Sequence, residues 1–484
     1  MTLQTLHSAR AHTSKEIAVS SDLAEKSMAS RSTALVLATF HTVAHALAVG
    51  RGAALTSWIT SSGGAVGAID VAATNVGWGL QATGPLSAND VLVRLPPACV
   101  LTEATDADNS KLQELLTPAT MPNEFWSARL GLCILNQRAL GESSSFTPYL
   151  ESLPAQIGTP VFWQQEAVEA LQPALRVQVN KRARFLAGFA HEHLASGDAL
   201  RGVAADVGAM AWGCAAASSR AFRLKQGRAM LPLIDSGNHA FDGNAEVRSR
   251  ADGGVELVAS TAIAAGEEVT FSYGALSNDD YLLDYGFIPH DNPYDTTELA
   301  WGANCELLDA ARGASGGGDA VRSAEPLAEW QLAALAQRGL GAGSKVSIGR
   351  NGPSAELLAA CRVAAAADAT ALRAADNGEK PLASAAAEAK ALRIAAAVVA
   401  LALAALDGAE GGGEDAAAGD AGTEAAAQLA MARQHATAKE ELLRTSLSIM
   451  ADRIKAAEAK PKKKKAADKP KAKKGGRGGG GGFG

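Results

Sequence analysis

Aromatic residues are scarce in this chain, at 5% of 484 residues, and cysteine is scarcer, with five. Cys99, Cys133, Cys214, Cys305 and Cys361 are odd in number and widely separated, and no CxxC pair occurs. That excludes a disulfide framework and a cysteine-based structural zinc site, and it fits a reducing compartment. There is no collagen period and no heptad array. The most apolar run, Ala395–Leu406, is short and mostly alanine, so it reads as a core helix and not as a membrane span. Neither charge sign dominates, with a net charge of -6. The glycine-rich stretch near residue 80 does not fit a GxGxxG nucleotide loop. Gly77, Gly79 and Gly84 lack the second spacing, and Pro85 stands where a nucleotide-loop helix would begin. His191 and His193 are two residues apart on an expected helix, so they do not share a face, and no metal site is expected.

The scarce aromatics are unevenly placed. Twenty of the 23 lie between Trp58 and Trp301, and none lies between Gln331 and Gly482. Aromatics supply large contact areas and shaped pockets. The middle of the chain should therefore hold the specific site. The Ala-rich C-terminal third should be scaffold.

Residues 1–49 form an N-terminal extension with no acid before Glu16. It fits an organelle transit peptide or an unstructured tail. Ala34–Val49 within it reads as a helix packed on the domain. Short apolar runs at Ala68–Ala72, Gly79–Ala82, Asp90–Leu95, Val255–Ala259 and Glu268–Tyr273 predict strands. Trp126–Leu140, Pro160–Leu171 and Lys181–Leu194 predict helices inside a helical insert at about 105–215. Residues 300–455 read as helical, with Leu443, Leu447, Met450 and Ile454 forming one core stripe. Within that region Asp407–Glu424 carries six acids and reads as a solvated loop. Residues 456–484 are a basic tail. From 459 onward nine Lys and Arg477 face only Asp468, which leaves the preceding 458 residues at -15. The tail fits a nucleic-acid contact through 459–478, a nuclear address, or a solubilising segment. Chloroplast, nucleus and cytoplasm all stay open as compartments.

The chemistry concentrates between Ser219 and Leu299. An apolar run ends in Asp235, Asn238 and His239. About thirty residues later a strand ends in Ser272, Tyr273 and Gly274, and a short helix leads to Tyr285-Gly286-Phe287. Polar groups at strand ends with tyrosines nearby point to a pocket. Taken alone, Asn238-His239 also fits a turn satisfying its own backbone, and Tyr273 a packed strand tyrosine.

These blocks together resemble SET-domain protein methyltransferases of the Rubisco large-subunit methyltransferase type. The likeness rests on the Asn238-His239 pair after an apolar run, GEEVTFSYG ending at Gly274, LLDYGF at 282–287 and NPYD at 292–295. Upstream, Val76-Gly77-Trp78-Gly79 resembles the family's Gly-rich hairpin, and the blocks from Leu140 to Trp163 resemble its helical insert. The chain departs from the pattern at Ala240, at Ser236-Gly237 and at Leu224, where a basic residue is usual. The resemblance spans about residues 50 to 455. It implies an α+β fold: a SET domain of small antiparallel sheets at 50–299, split by the helical insert, then an all-α substrate-binding domain at 300–455.

It also implies S-adenosylmethionine as cofactor, held by Val76, Gly77, Trp78, Asn238, His239 and Tyr273. Tyr273 matches the catalytic tyrosine. Arg220, Asp235 and Tyr285 match positions that contact substrate. The implied activity is lysine N-methylation of a protein, more readily a non-histone protein than a histone, without a membrane. Histidine N-methylation on the same fold is the second reading, and a SET-like peptide-binding module without turnover the third.

Overall fold

The computed structural model describes residues 52–225, 227–302, 305–315, 326–410 and 424–459. The N-terminal extension with the expected Ala34–Val49 helix, most of the acidic segment, and the basic tail from 460 lie outside the described residues. The described chain divides into two units. The first comprises residues 52–162, 178–275 and 282–287; the second comprises 163–177, 276–281 and 288–459.

The first unit is built from three small sheets. Strands β1 (Ala65–Val66), β4 (Val91–Leu95), β10 (Val255–Ala259) and β9 (Ala245–Ser249) form one, in the order β1-β4-β10-β9. Strands β2 (Ile69–Thr74), β3 (Gly77–Ala82), β11 (Glu268–Phe271) and β8 (Asn238–His239) form the second, in the order β2-β3-β11-β8. Strands β5 (Leu101–Thr102), β7 (Gly227–Met230) and β6 (Ala221–Leu224) form the third, in the order β5-β7-β6. All pairings are antiparallel except β8 with β11. Alternation sets the inner face of β10, where Val255 and Leu257 are fully buried beside Leu95 and Val93 on β4.

The helix Trp126–Ala139 runs through the centre of this unit, and ten of its fourteen residues are buried. Two of its buried polar side chains bond to neighbouring residues. Gln137 Nε2 donates to Asp106 Oδ1 at 2.6 Å, and Asn109 Nδ2 donates to Asn136 Oδ1 at 2.9 Å. The helix packs against Val207–Arg220 with Gly131 facing Gly213. A Cβ on Gly131 would sit 2.5 Å from the Gly213 carbonyl carbon. Two glycines thus let the backbones approach closely. The expected Pro160–Leu171 helix is instead a 3-10 turn at Pro160–Phe162 and a separate helix at Gln165–Glu169. The next helix begins at Pro173, well before Lys181, and closes in a π-helical turn at Ala190–Leu194.

The second unit is mostly helical but not wholly so. Strands β12 (Thr296–Ala300), β13 (Lys345–Gly349) and β14 (Gly352–Pro353) form a three-stranded antiparallel sheet where only helices were expected. Val346 and Ile348 alternate with polar neighbours and turn inward, a period-two pattern too short to stand out among Ala-rich helices. The Ala385–Glu410 helix runs into the acidic segment, so that segment does not begin as a loop at Asp407. Its Ala385–Leu406 stretch is long and apolar enough to cross a membrane by length and composition, unlike the twelve-residue run read from sequence. Here Ile394, Ala395, Val398 and Val399 are buried in this unit's own core.

The Glu424–Glu458 helix presents Leu443 and Met450 to that core, with Leu447 and Ile454 half-buried beside them. Towards its N-terminus the same face turns polar. Lys439 is fully buried, its Nζ 2.7 Å from Asp295 Oδ1, 2.6 Å from the Thr296 carbonyl and 3.3 Å from Asp279 Oδ2. His435 Nε2 lies 2.6 Å from Asp279 Oδ1. Burial pushes the Asp279 carboxyl up, but His435 and Lys439 outweigh it and hold it below the usual range.

Two stability outcomes follow from this packing. Gly131→Ala gains about 1 kcal/mol of helix propensity, yet its methyl meets backbone that no rotamer change can clear. We expect a net loss of about 1–3 kcal/mol in urea denaturation. Lys439→Met leaves the buried Asp295 carboxylate without its cation and should cost about 3–5 kcal/mol. Lys345→Met, which removes an exposed pair with Glu298, should cost under about 1 kcal/mol. Equal midpoint shifts for the two lysine variants would contradict the account.

Candidate active site

The site grows from the end of β11. Its parallel partner β8 places Asn238 opposite Thr270 and His239 opposite Phe271. Two glycines make room for this. A Cβ on Gly237 would lie 2.5 Å from Phe271 Cε1, and one on Gly243 would lie 2.5 Å from Phe271 Cα. The Ser236-Gly237 spacer, unusual in sequence, thus accommodates the Phe271 ring.

Beyond Phe271 the chain leaves the ladder and turns to His239. The Tyr273 N–H donates to His239 Nδ1 at 3.1 Å. An imidazole that accepts there carries its proton on Nε2 and is neutral. Burial pushes the His239 pKa down, while a hydrogen bond with the Phe271 backbone works the other way. The Tyr273 hydroxyl donates to the Gly237 carbonyl at 2.8 Å. Tyr285 stacks on Tyr273 with centroids 4.9 Å apart and planes at 25°. Phe287 stands edge-on to Tyr273 at 6.4 Å, and Phe241 edge-on to His239 at 4.5 Å. The hydroxyl of Tyr273 is therefore anchored within an aromatic wall.

The β2–β3 hairpin flanks this cluster. Gly77 has φ +120°, a left-handed conformation that favours glycine, and a Cβ there would meet no atom within 4 Å. Val76 is 76% exposed and Trp78 36% exposed. The Thr74 hydroxyl donates to the Gly77 carbonyl at 3.1 Å and steadies the tip. Asn238 Nδ2 ties the hairpin to β8, donating to Glu268 Oε1 at 2.7 Å and to the Trp78 carbonyl and Thr74 Oγ1 at 3.3 Å each. Gly79 permits this junction, since a Cβ would lie 2.6 Å from both Asn238 Nδ2 and Glu268 Oε1.

Asp235 lies deeper than the other site residues. Its side chain is 2% exposed. Tyr149 Oη donates to Asp235 Oδ2 at 2.8 Å, and Arg220 Nη1 donates to the Asp235 carbonyl at 3.0 Å. Burial raises the Asp235 pKa despite Arg220, and burial with Asp235 alongside raises that of Tyr149 well above the phenol range. Arg220, Asp235 and Tyr149 thus form a buried strut beneath the 3-10 turn Ile234–Ser236, which leads into β8.

The structure brings Val76, Gly77, Trp78, Asn238, His239, Tyr273, Tyr285, Arg220 and Asp235 into one unit. Tyr149 and Glu268 were not singled out from sequence, because their partners Asp235 and Asn238 lie 86 and 30 residues away. His191 and Glu192 are exposed, and His193 packs on the Phe189 ring at 4.7 Å. Among the described residues no group of three or more His, Cys, Asp or Glu is placed to hold a metal ion.

Comparison with known proteins agrees with this geometry. Residues 77–274 match the SET domain and residues 322–444 the Rubisco LSMT substrate-binding domain. Among curated proteins the chain is similar to an actin-histidine N-methyltransferase of Danio rerio. Identity is 26% over 304 residues, covering 59% of this chain and 48% of the relative. It is similar to the human actin-histidine N-methyltransferase at 24% over 270 residues, covering 52% and 44%. The chain thus spans about half the length of the curated relatives it matches. A crystal structure of the SET domain of LSMT bound to lysine and AdoHcy aligns with TM-score 0.63 at 17% identity, covering 84% of this chain and 92% of that one. Rubisco LSMT bound to AdoMet aligns with TM-score 0.61 at 18% identity, covering 84% and 93%. These likenesses show a shared fold. With both family domains present in order, the chain belongs to the SET-domain proteins that carry a Rubisco LSMT substrate-binding domain.

Proposed function

We propose that the chain is an S-adenosylmethionine-dependent protein methyltransferase acting on a side-chain nitrogen, with lysine as the first target. The observation that carries this is the anchored Tyr273 hydroxyl inside the wall of Tyr285, Phe287 and Phe241, beside a hairpin with open ground at Gly77. Solved neighbours holding AdoMet or AdoHcy support the cofactor. S-adenosylmethionine, when bound, supplies a methyl carbon activated by a sulfonium. The residues present fit it. The exposed backbone of Val76, Gly77 and Trp78 and the strand end of Asn238 and His239 are tied together by Asn238. Those groups would hold it.

The chain's own task is alignment and control of the amine proton. Orientation alone supplies up to about 7–11 kcal/mol in well-placed cases. The Tyr273 proton is committed to the Gly237 carbonyl, so its oxygen acts as the acceptor that orients an amine N–H. Tyr285 and Phe287 exclude water and disfavour the ammonium form of a lysine, whose pKa in water is about 10.4. Arg220 and Asp235 act as a pair, with Arg220 nearer the substrate side and Asp235 fixing it from within.

Histidine is the second reading, supported by the actin-histidine relatives. Neutral imidazole needs no lowering of its pKa near pH 7, so the same aromatic wall accepts it. The protein substrate is proposed as non-histone, and the tail 459–478 as its only nucleic-acid contact. A binding module without turnover is excluded by detection of product.

The test is incubation with labelled S-adenosylmethionine and cell extract, followed by mass spectrometry of the labelled protein. Labelled lysine supports the first reading and labelled histidine the second. Absence of label with a folded enzyme contradicts both. Tyr273→Phe should lower kcat about 10²–10³-fold with little change in cofactor affinity; unchanged kcat would remove Tyr273 from the chemistry.

His239 sets an acid limit. Its folded pKa lies below the unfolded value near 6.5. Its stabilising contribution is therefore full above about pH 6.5 and is lost as pH falls through the folded pKa. The urea midpoint should drop between neutral pH and pH ~5.5 by more in the wild type than in His239→Gln. An equal drop in both would contradict this.

A further inference from the structure

The β6–β7 hairpin carries a concentration of positive charge that the proposed chemistry does not use. Arg223 and Arg228 are direct cross-strand partners, and Lys225 lies at the turn between them. Arg223 and Lys225 are exposed and Arg228 is half-buried. Like charges placed directly opposite on a ladder are destabilising. Nearby acids relieve them only in part, through the charge of Asp284 acting on Arg228. Asp284 pairs with Arg182 at 2.7 Å, and Asp235 is held by Arg220 and Tyr149. Among the described residues Arg223, Lys225 and Arg228 form no ion pair with a carboxylate.

The cluster is rigid at its base. The Arg228 guanidinium lies 3.5 Å over the Trp126 ring, a cation–π contact that holds the side chain. Burial, with Arg223 opposite, lowers the Arg228 pKa. The hairpin is also close to the proposed chemistry. It follows directly from the Val207–Arg220 helix, whose Ser218 hydroxyl donates to the Asp284 carbonyl at 2.9 Å, one residue before Tyr285. Phe222 on the same strand packs on Phe271 at 5.5 Å, and on the opposite face of the hairpin Arg228 interacts electrostatically with Asp284 and Tyr285.

A cationic surface at the rim of the site, unmatched within an acidic body, calls for an anionic partner. We propose that the Arg223–Lys225–Arg228 hairpin is a specificity surface that receives acidic residues flanking the target side chain of the protein substrate. This rests on the methyltransferase reading for its meaning, since it names what the substrate presents beside the modified residue. It favours acidic segments over basic histone-like tails, which the hairpin repels. Three charges on one hairpin are too few for the extended positive stripe that a nucleic-acid backbone selects.

The experiment uses the full chain, so the basic tail is common to every sample. Fluorescein-labelled peptides with a central lysine, and a second set with a central histidine, carry either Asp/Glu or Ser/Ala flanks. Their affinities are read by fluorescence anisotropy at low ionic strength with S-adenosylhomocysteine present. The wild type should prefer the acidic flanks about tenfold, and the preference should fall with added salt. Arg223→Glu/Lys225→Glu should abolish it, and the milder Arg223→Gln/Lys225→Gln should halve it or more, while calorimetry shows unchanged S-adenosylhomocysteine binding. Equal affinity for both flanks, or a preference that survives both variants, overturns the proposal. So does a single-stranded oligonucleotide whose affinity drops in the variants while the peptides' does not. Binding is read without turnover, so failure of methyl transfer contradicts the enzymatic reading and leaves this result standing.

Discussion

The two-residue parallel pairing of β8 with β11 is the constraint on which the site depends. It sets Asn238 against Thr270 and His239 against Phe271. Everything proposed to touch cofactor or substrate is placed relative to that register. A shift of one residue would reverse the faces of Asn238 and His239. Three glycines hold the register by making any side chain impossible: Gly237 and Gly243 against Phe271, and Gly79 against Asn238 and Glu268.

From this pairing the remaining contacts follow as reinforcement. His239 accepts the Tyr273 N–H, which ends the strand and aims the tyrosine. Asn238 reaches across to the Trp78 carbonyl and brings the exposed hairpin under the same control. Below, Arg220 and Tyr149 hold Asp235, a carboxylate that burial disfavours in its charged form. An ionised buried acid is tolerated only when bonded, so this strut is rigid where it is satisfied. The second unit applies the same rule independently, with Lys439 shared between Asp295 and Asp279.

Much of this was legible in the sequence, for local reasons. The Val255–Ala259 strand was read to its ends, and the Glu268–Tyr273 run overshot by two residues because Ser272 and Tyr273 leave the ladder for His239. The confinement of aromatics to the middle of the chain coincides with the ring stack of Tyr273 and Tyr285. What was hidden involves separation in sequence. Tyr149 meets Asp235 from within the insert, and Glu268 meets Asn238 through the β8–β11 pairing. The polar end of the Glu424–Glu458 stripe was missed because His435 and Lys439 look like solvent-facing residues until Asp279 and Asp295 are brought to them. The β12–β13–β14 sheet was missed because alanine-rich surroundings mask so short an alternation.

The central claim is that the Val76–Trp78 hairpin and the Asn238–His239 strand end form one cofactor site joined by Asn238. Isothermal titration of S-adenosylhomocysteine into the full chain and into Asn238→Ala tests it most directly. The account predicts one equivalent bound by the wild type, and affinity weakened about tenfold or more in the variant. A folded wild type that binds none, or a variant that binds equally well, would contradict it.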